Sequence, residues 1–374
     1  MDVIIIGTAY PYRGGLTAFN ERLAKAYISE GHNVEIYTFT LQYPALLFPG
    51  KTQYSTEHAP KGLKILRKIN SMNPLNWLKI GKEIRKKQPD LVIVKYWLPF
   101  MAPCFGTILR QVRKNNKTYI VSILDNIIPH EKRLGDNLFT QYFVNAVDGF
   151  VAMSKLVLQD VNVFDSMKPK VFSPHPLYDN FGEQVSKSEA IRKLKLDETS
   201  NYMLFFGFIR DYKGLDLLLK GYADSRFRTL NTKLIVAGEF YNNSEKYFAL
   251  EKELGLKNEV IWCNDFIPDS EVKYYFSVAD IIVQPYKSAT QSGVTQIAYH
   301  FEKPMLVTNV GGLAEIVPDG KVGYVVEPDH NKIADALIDF FENRRFNDFT
   351  DNIVLEKNKY SWSKMINTIN NLIP

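Results

Sequence analysis

Only two cysteines, Cys104 and Cys263, occur in 374 residues, far apart in the chain. That gives neither a disulfide framework nor a metal-ligand spacing, so the chain reads as a protein of a reducing compartment, expected in the cytoplasm, with no metal site. Long apolar runs are also missing: none approaches the ~20 residues of a membrane-spanning helix. Residues 3–6 are too short, and lack the basic flank, for a signal-peptide core. No internal repeat or low-complexity segment appears. The loop after the first apolar run is not G-x-G-x-x-G, which disfavours NAD. No nucleic-acid-binding motif accompanies the basic residues, so nucleic acid is not an expected partner.

What is present belongs to a globular protein with a large core: 45% hydrophobic and 23% charged residues. The length exceeds one ordinary domain and predicts two α/β domains. The net charge of +5 is unevenly spread. Residues 1–180 hold 23 Lys and Arg against 14 Asp and Glu, and the remainder 23 against 27. The basic excess concentrates in 61–87, KGLKILRKINSMNPLNWLKIGKEIRKK, where basic residues alternate with Leu, Ile and Trp77. That pattern suits a helix on an anionic membrane surface, or a face docking an anionic acceptor; a solvated face on an ordinary packing helix is the plainer reading.

The chain is organised around 281–317, IIVQPYKSATQSGVTQIAYHFEKPMLVTNVGGLAEIV. It reads strand, small-residue loop, helix, strand, glycine turn, helix, the grammar of a parallel sheet covered by helices. Loops at the carboxyl ends of such strands gather where ligands bind. Here Thr290, Gln291, Ser292 and Gly293 can offer hydroxyl, amide and backbone groups to an anion near a helix start. The first forty residues form another such unit, with Gly14 and Gly15 before a helix, where a diphosphate or sugar can approach closely. After the strand at 118–124 comes Asp125-Asn126-Ile127-Ile128-Pro129-His130, a polar cluster where an acid, base or substrate-orienting group would sit. The segment 173–182, SPHPLYDNFG, has two prolines and no periodicity, and predicts the domain boundary. The second half then restarts with an apolar strand and the loop Gly207-Phe208-Ile209-Arg210-Asp211-Tyr212-Lys213-Gly214. Arg210 and Lys213 in that turn, beside helix-terminal amides, can hold a diphosphate and offset the charge of a departing nucleoside diphosphate.

With these residues in view the chain resembles the retaining GT-B glycosyltransferases of glycosyltransferase family 4. The matching segments are PYRGGLTAFNERLAKAYISEGHNVEIYT, LFFGFIRDYKGLDLLLKGY, LIVAGEF, EKPMLVTNVGGLAEIVPDGKVGYVVEP and SWSKMINTINNL. They occur in family order over nearly the whole length. The resemblance implies two Rossmann-like α/β domains facing across a cleft: an acceptor domain, 1–175, with helix 361–374 packing back on it, and a sugar-nucleotide domain, 176–360. It implies a metal-independent, configuration-retaining transfer without a cofactor, from a UDP- or GDP-sugar to a glycan or lipid-linked acceptor in cell-surface polysaccharide synthesis. Gly14, Gly15 and Gly207 would approach the donor, and Arg210 and Lys213 would hold its diphosphate.

Two departures stand out. The family's pair of glutamates eight positions apart falls on Ala289 and Ile297, or on Ser288 and Gln296 with a gap of one, leaving Gln296 to hydrogen-bond a ribose. Asp125 stands where relatives often carry a histidine, with His130 five residues on. Glu315 matches the family's glutamate after the glycine pair, and equally suits a helix's first turn. A catalytically weak GT-B protein that binds a sugar nucleotide or a partner is therefore the alternative, and a non-hydrolysing sugar-nucleotide epimerase a minor third.

Overall fold

The apolar runs pair as parallel strands in a computed structural model, which describes residues 1–44, 52–55, 58–129, 134–241, 244–289 and 292–374. The chain divides into two compact units, Met1–Pro176 with Ser361–Pro374, and Leu177–Tyr360.

The first unit carries β1 (Asp2–Ile6), β2 (Asn33–Leu41), β3 (Lys64–Asn70), β4 (Leu91–Tyr96), β5 (Tyr119–Leu124), β6 (Gly149–Ala152) and β7 (Lys170–Phe172). Their order is β3-β2-β1-β4-β5-β6-β7, every pairing parallel. Ile5 faces Ile36 on one side and Ile93 on the other. Strands flanked and covered on both faces cannot alternate polar with apolar, which explains the unbroken aliphatic runs of β1 and β4.

The second unit carries β8 (Asn201–Phe206), β9 (Thr232–Ala237), β10 (Val260–Cys263), β11 (Ile281–Gln284), β12 (Met305–Thr308) and β13 (Gly323–Val326), ordered β10-β9-β8-β11-β12-β13 and all parallel. In each sheet the order reverses beside the first strand, between β1 and β4 and between β8 and β11. Ligands of such sheets bind outside the carboxyl ends of the strands at that point.

The basic stretch 61–87 is not one helix. Its first part is the edge strand β3, and only Pro74–Lys87 is helical, capped by Asn73. Glu35 pairs with both Lys64 and Lys87, and Glu83 with Lys68 at 2.7 Å. Ile80 and Ile84 pack into the core. This is a packing helix whose exposed lysines, Lys79, Lys82 and Lys86, follow a helical spacing on one side.

The segment 173–182 has no helix or strand but is well anchored. His175 is buried, and its Nδ1 lies 2.7 Å from the Pro176 carbonyl. In the second unit the Tyr178 ring lies beside Gly293, and Leu177 N–H donates to Tyr360 O at 3.0 Å. The last helix, Trp362–Asn370, belongs to the first unit. Trp362 packs 5.2 Å from the Phe19 ring, and Tyr27 O–H donates to Asn370 Oδ1 at 3.1 Å. Among the described residues no helix is long and apolar enough to cross a membrane.

Candidate active site

The second unit's reversal point is built by two loops laced together. After β8 the backbone turns at Gly207, φ +94°, and reaches a short 3-10 turn at Asp211–Lys213. Gly214, φ +68°, then opens the helix Leu215–Tyr222. A Cβ on Gly214 would lie 1.9 Å from Pro285 O, so only glycine fits where this loop crosses the end of β11. Lys287 N–H donates to Tyr212 O at 2.6 Å, and the Tyr212 and Tyr286 rings meet edge to face.

Arg210 and Lys213 stand in this frame without a carboxylate partner among the described residues, although acids are close by. Asp211 pairs with Lys246, and Asp216 with Lys287 at 2.7 Å. Arg210 lies 3.8 Å above the Tyr241 ring, a stacking that fixes its guanidinium. Lys213 is buried, with Nζ 3.4 Å from Phe206 O and 5.6 Å from the Tyr286 ring. A Cβ on Gly207 would come within 2.9 Å of that Nζ, so the glycine makes room for the amine. Burial, and then the charge of Arg210, pull the Lys213 amine down to about 7. The loop thus holds two basic side chains, one of them desolvated, that meet no carboxylate among the described residues.

The loop after β11 leads into the helix Gly293–His300. Ser292 Oγ accepts from Val294 N–H at 3.2 Å and lies 3.3 Å from the Tyr286 hydroxyl, so it caps the helix. Gly293 has a packing reason as well: a Cβ there would lie 2.7 Å from the Tyr178 ring. Gln296 is fully buried, as is Gln284 at the end of β11, and neither side-chain amide has a hydrogen-bond partner among the described residues. Glu315 is exposed in the short helix Leu313–Ile316. Thr290, Gln291 and His130 lie outside the described residues. Beyond the carboxyl end of β10, Trp262, Phe266, Tyr275 and Glu271 line part of a cavity of about 380 Å³.

In the first unit Gly14, φ +98°, precedes the helix Gly15–Ser29, and a Cβ there would meet nothing within 4 Å among the described residues. Its backbone conformation favours glycine. The preceding loop is pinned by Asn20 Nδ2 donating to Thr8 O at 2.9 Å and by Tyr10 N–H donating to Glu21 Oε1 at 2.7 Å. Asp125 sits at the carboxyl end of β5 and receives a 2.8 Å hydrogen bond from Lys95 Nζ. Sequence reading missed Lys95; its signal was a charge closing the otherwise apolar β4. Among the described residues no group of three or more His, Cys, Asp or Glu is placed to hold a metal.

Two parallel sheets of this order, of seven and six strands, match the GT-B class of sugar-transferring enzymes. The chain belongs to the GT-B glycosyltransferases: residues 13–173 match the Glycosyltransferase Family 4 model and residues 186–357 the Glycosyl transferases group 1 model. It is 25% identical over 374 residues to an uncharacterised glycosyltransferase of Methanocaldococcus jannaschii, covering 98% of this chain and 96% of that protein. A lipopolysaccharide 1,2-N-acetylglucosaminetransferase of Salmonella typhimurium is 27% identical over 192 residues, 46% of this chain and 48% of that one. The Anabaena HepE structure in complex with UDP-glucose superposes with a TM-score of 0.71 at 13% identity, covering 99% of this chain and 98% of that one.

Proposed function

We propose that the enzyme transfers a sugar from a UDP- or GDP-sugar to a glycan or lipid-linked acceptor of cell-surface polysaccharide, without a metal and with retention of anomeric configuration. The carrying observation is the pair Arg210 and Lys213, two basic side chains at the second unit's reversal point that meet no carboxylate among the described residues. As the bond from the sugar's anomeric carbon to the diphosphate breaks, its electron pair goes to the diphosphate oxygen. Two fixed cations stabilise the charge that develops there. The acceptor hydroxyl forms the new bond, and its proton goes to the departing phosphate. The aromatic cavity beyond β10 suits the planar base of the nucleotide, and the HepE complex with UDP-glucose and the Salmonella relative fit this donor and acceptor chemistry.

A thermal-shift panel of UDP- and GDP-sugars tests the reading. A donor at a hundredfold excess over its Kd should stabilise the protein by about 2.7 kcal/mol. Arg210→Ala and Lys213→Ala should remove turnover with the far-ultraviolet circular dichroism unchanged. Ordinary rates from both variants would take the two residues out of the mechanism. The second reading, nucleotide-sugar binding without efficient transfer, is favoured by the apolar Ala289 and Ile297 at the family's glutamate positions. It is distinguished by a donor-dependent shift with no hydrolysis or transfer.

We also propose that Lys79, Lys82 and Lys86, with the exposed Leu75 one turn before, hold the enzyme at an anionic membrane surface. Replacing the three lysines by glutamate should lower sedimentation with phosphatidylglycerol vesicles and leave phosphatidylcholine vesicles unaffected. Unchanged sedimentation would remove this role.

A further inference from the structure

Arg210 is held by a ring rather than by an acid. It meets no carboxylate among the described residues, and its Cζ lies 3.8 Å from the centre of the Tyr241 ring. The difference has a chemical consequence. A carboxylate would anchor the guanidinium but also neutralise it, and would compete with an incoming phosphate. The guanidinium N–H groups all lie in its plane and point outward from its edge. A ring against the flat face restrains the cation and leaves both its charge and its donors to an anion. It also removes beforehand part of the rotamer freedom that a mobile arginine would lose on binding.

The backbone delivers the ring to that place. Beyond the carboxyl ends of β8 and β9 the two chains stay paired: Ile209 N–H donates to Glu239 O at 2.8 Å, and Tyr241 N–H to Ile209 O at 3.0 Å. Gly238, φ +139°, permits the approach, since a Cβ there would lie 2.4 Å from Gly207 O. Phe240 roots the loop in the unit's core, its ring 5.8 Å from that of Tyr247 and 6.0 Å from that of Trp262. Tyr241 is half-buried and takes no part in that cluster. The loop is thus held by its backbone and by Phe240, which leaves the Tyr241 ring to the arginine. We infer that Tyr241 is a positioning residue: its ring holds the Arg210 guanidinium by the face, so that the N–H edge is set for a phosphate of the donor's diphosphate. This role rests on the glycosyl-transfer reading above, adds a residue that acts through Arg210, and lies wholly within the second unit.

The test compares Tyr241→Phe, Tyr241→Leu, Arg210→Ala and the double variant Arg210→Ala/Tyr241→Leu in the full chain. NMR relaxation of the Arg210 Nε–H, assigned by its loss in Arg210→Ala, reads the mobility of the guanidinium with no ligand present. That group should be rigid in the wild type and in Tyr241→Phe, and mobile in Tyr241→Leu. Calorimetry with UDP and GDP, carried to millimolar nucleotide so that weak complexes stay measurable, reads the clamp. For the nucleotide that binds, Kd should stay within about twofold in Tyr241→Phe and rise about tenfold in Tyr241→Leu, as for a partly desolvated cation–π contact. In the Arg210→Ala background the leucine should change Kd by less than about twofold, because the ring's route to the nucleotide has gone. A packing role for Tyr241 would carry the same loss into that background and overturn the inference. So would a guanidinium equally mobile with and without the ring, a Tyr241→Phe as weak as Tyr241→Leu, or a Tyr241→Leu that fails to fold. A Tyr241→Leu with wild-type affinity, beside an Arg210→Ala that binds weakly, would overturn this inference alone. A wild-type protein that binds neither nucleotide, or binds it no better than Arg210→Ala does, would overturn the glycosyl-transfer reading of the loop, and this inference with it.

Discussion

Lys213, proposed above to hold the donor's diphosphate, would couple nucleotide binding to proton uptake. Its value of about 7 lies below the 10.5 of an ordinary lysine. Between those two values the unfolded chain holds a proton that the folded unit lacks. The folding penalty from this residue is therefore full below pH 7 and lifts as the pH climbs toward 10.5. A diphosphate bound there would reverse the preference by holding the proton in place, so nucleotide binding above pH 7 should take up a proton. UDP affinity, measured by calorimetry, should fall by about tenfold or more between pH 7 and pH 9, and Lys213→Met should flatten that slope. A slope common to both proteins would place the titrating group elsewhere. The place of Arg210 and Lys213 in a strand-to-helix turn could be read from the sequence, because an apolar strand precedes them and Gly207 and Gly214 bracket the turn. Lys95 could not, because a lysine near a strand's end looks like the start of a solvated loop; only the fold shows it buried against Phe19 and paired with a residue thirty positions on. The burial of Gln296 was hidden for a similar reason: helical spacing does not reveal that Val294 through Tyr299 are all enclosed.

Among the elements, those buried on two sides were the easiest to read. The aliphatic runs of β1, β4, β8 and β9 can only be strands of a covered parallel sheet. The edge strand β3, KILRKIN, was hidden because its mix of basic and apolar residues also fits an amphipathic helix, and its pairing with β2 is irregular after Thr38. What settles it is Glu35 on the neighbouring strand, which takes Lys64 on one side and Lys87 on the other. The helix Gly293–His300 carries a sharper test. Gly293→Ala places a methyl group 2.7 Å from the Tyr178 ring and should cost about 1–3 kcal/mol in urea unfolding. Tyr178→Leu in the same chain should recover part of that loss, because the ring is the obstacle. Loss of nucleotide binding with no loss of stability would show instead that ligand approach, not packing, demands the glycine.

For the whole molecule, the restart of an apolar strand and glycine loop near residue 201 announced two sheets, and their strand orders agree with that reading. The order itself could not be read, since pairing depends on contacts between strands far apart in sequence. The closing helix has a measurable weight. Trp362 is 5% exposed, against Phe19 and beneath the Arg22 guanidinium at 5.2 Å. Trp362→Ala should cost about 3 kcal/mol. Hydrogen exchange should then quicken in Gly15–Ser29, while β8 and β9 keep their protection. Faster exchange across both sheets would mean that the two units unfold as one.

That closing helix also sets an order of events during synthesis. When the ribosome has made Pro176, every strand of the first sheet exists, but Trp362 is still about 185 residues away, roughly 10–40 s at ordinary elongation rates. Through that interval the nascent first unit leaves the Phe19 surface bare, and the second unit has its full sequence before the first can be finished. A premature stop just before Ser361 would therefore spare the sheet most recently made and injure the one made first.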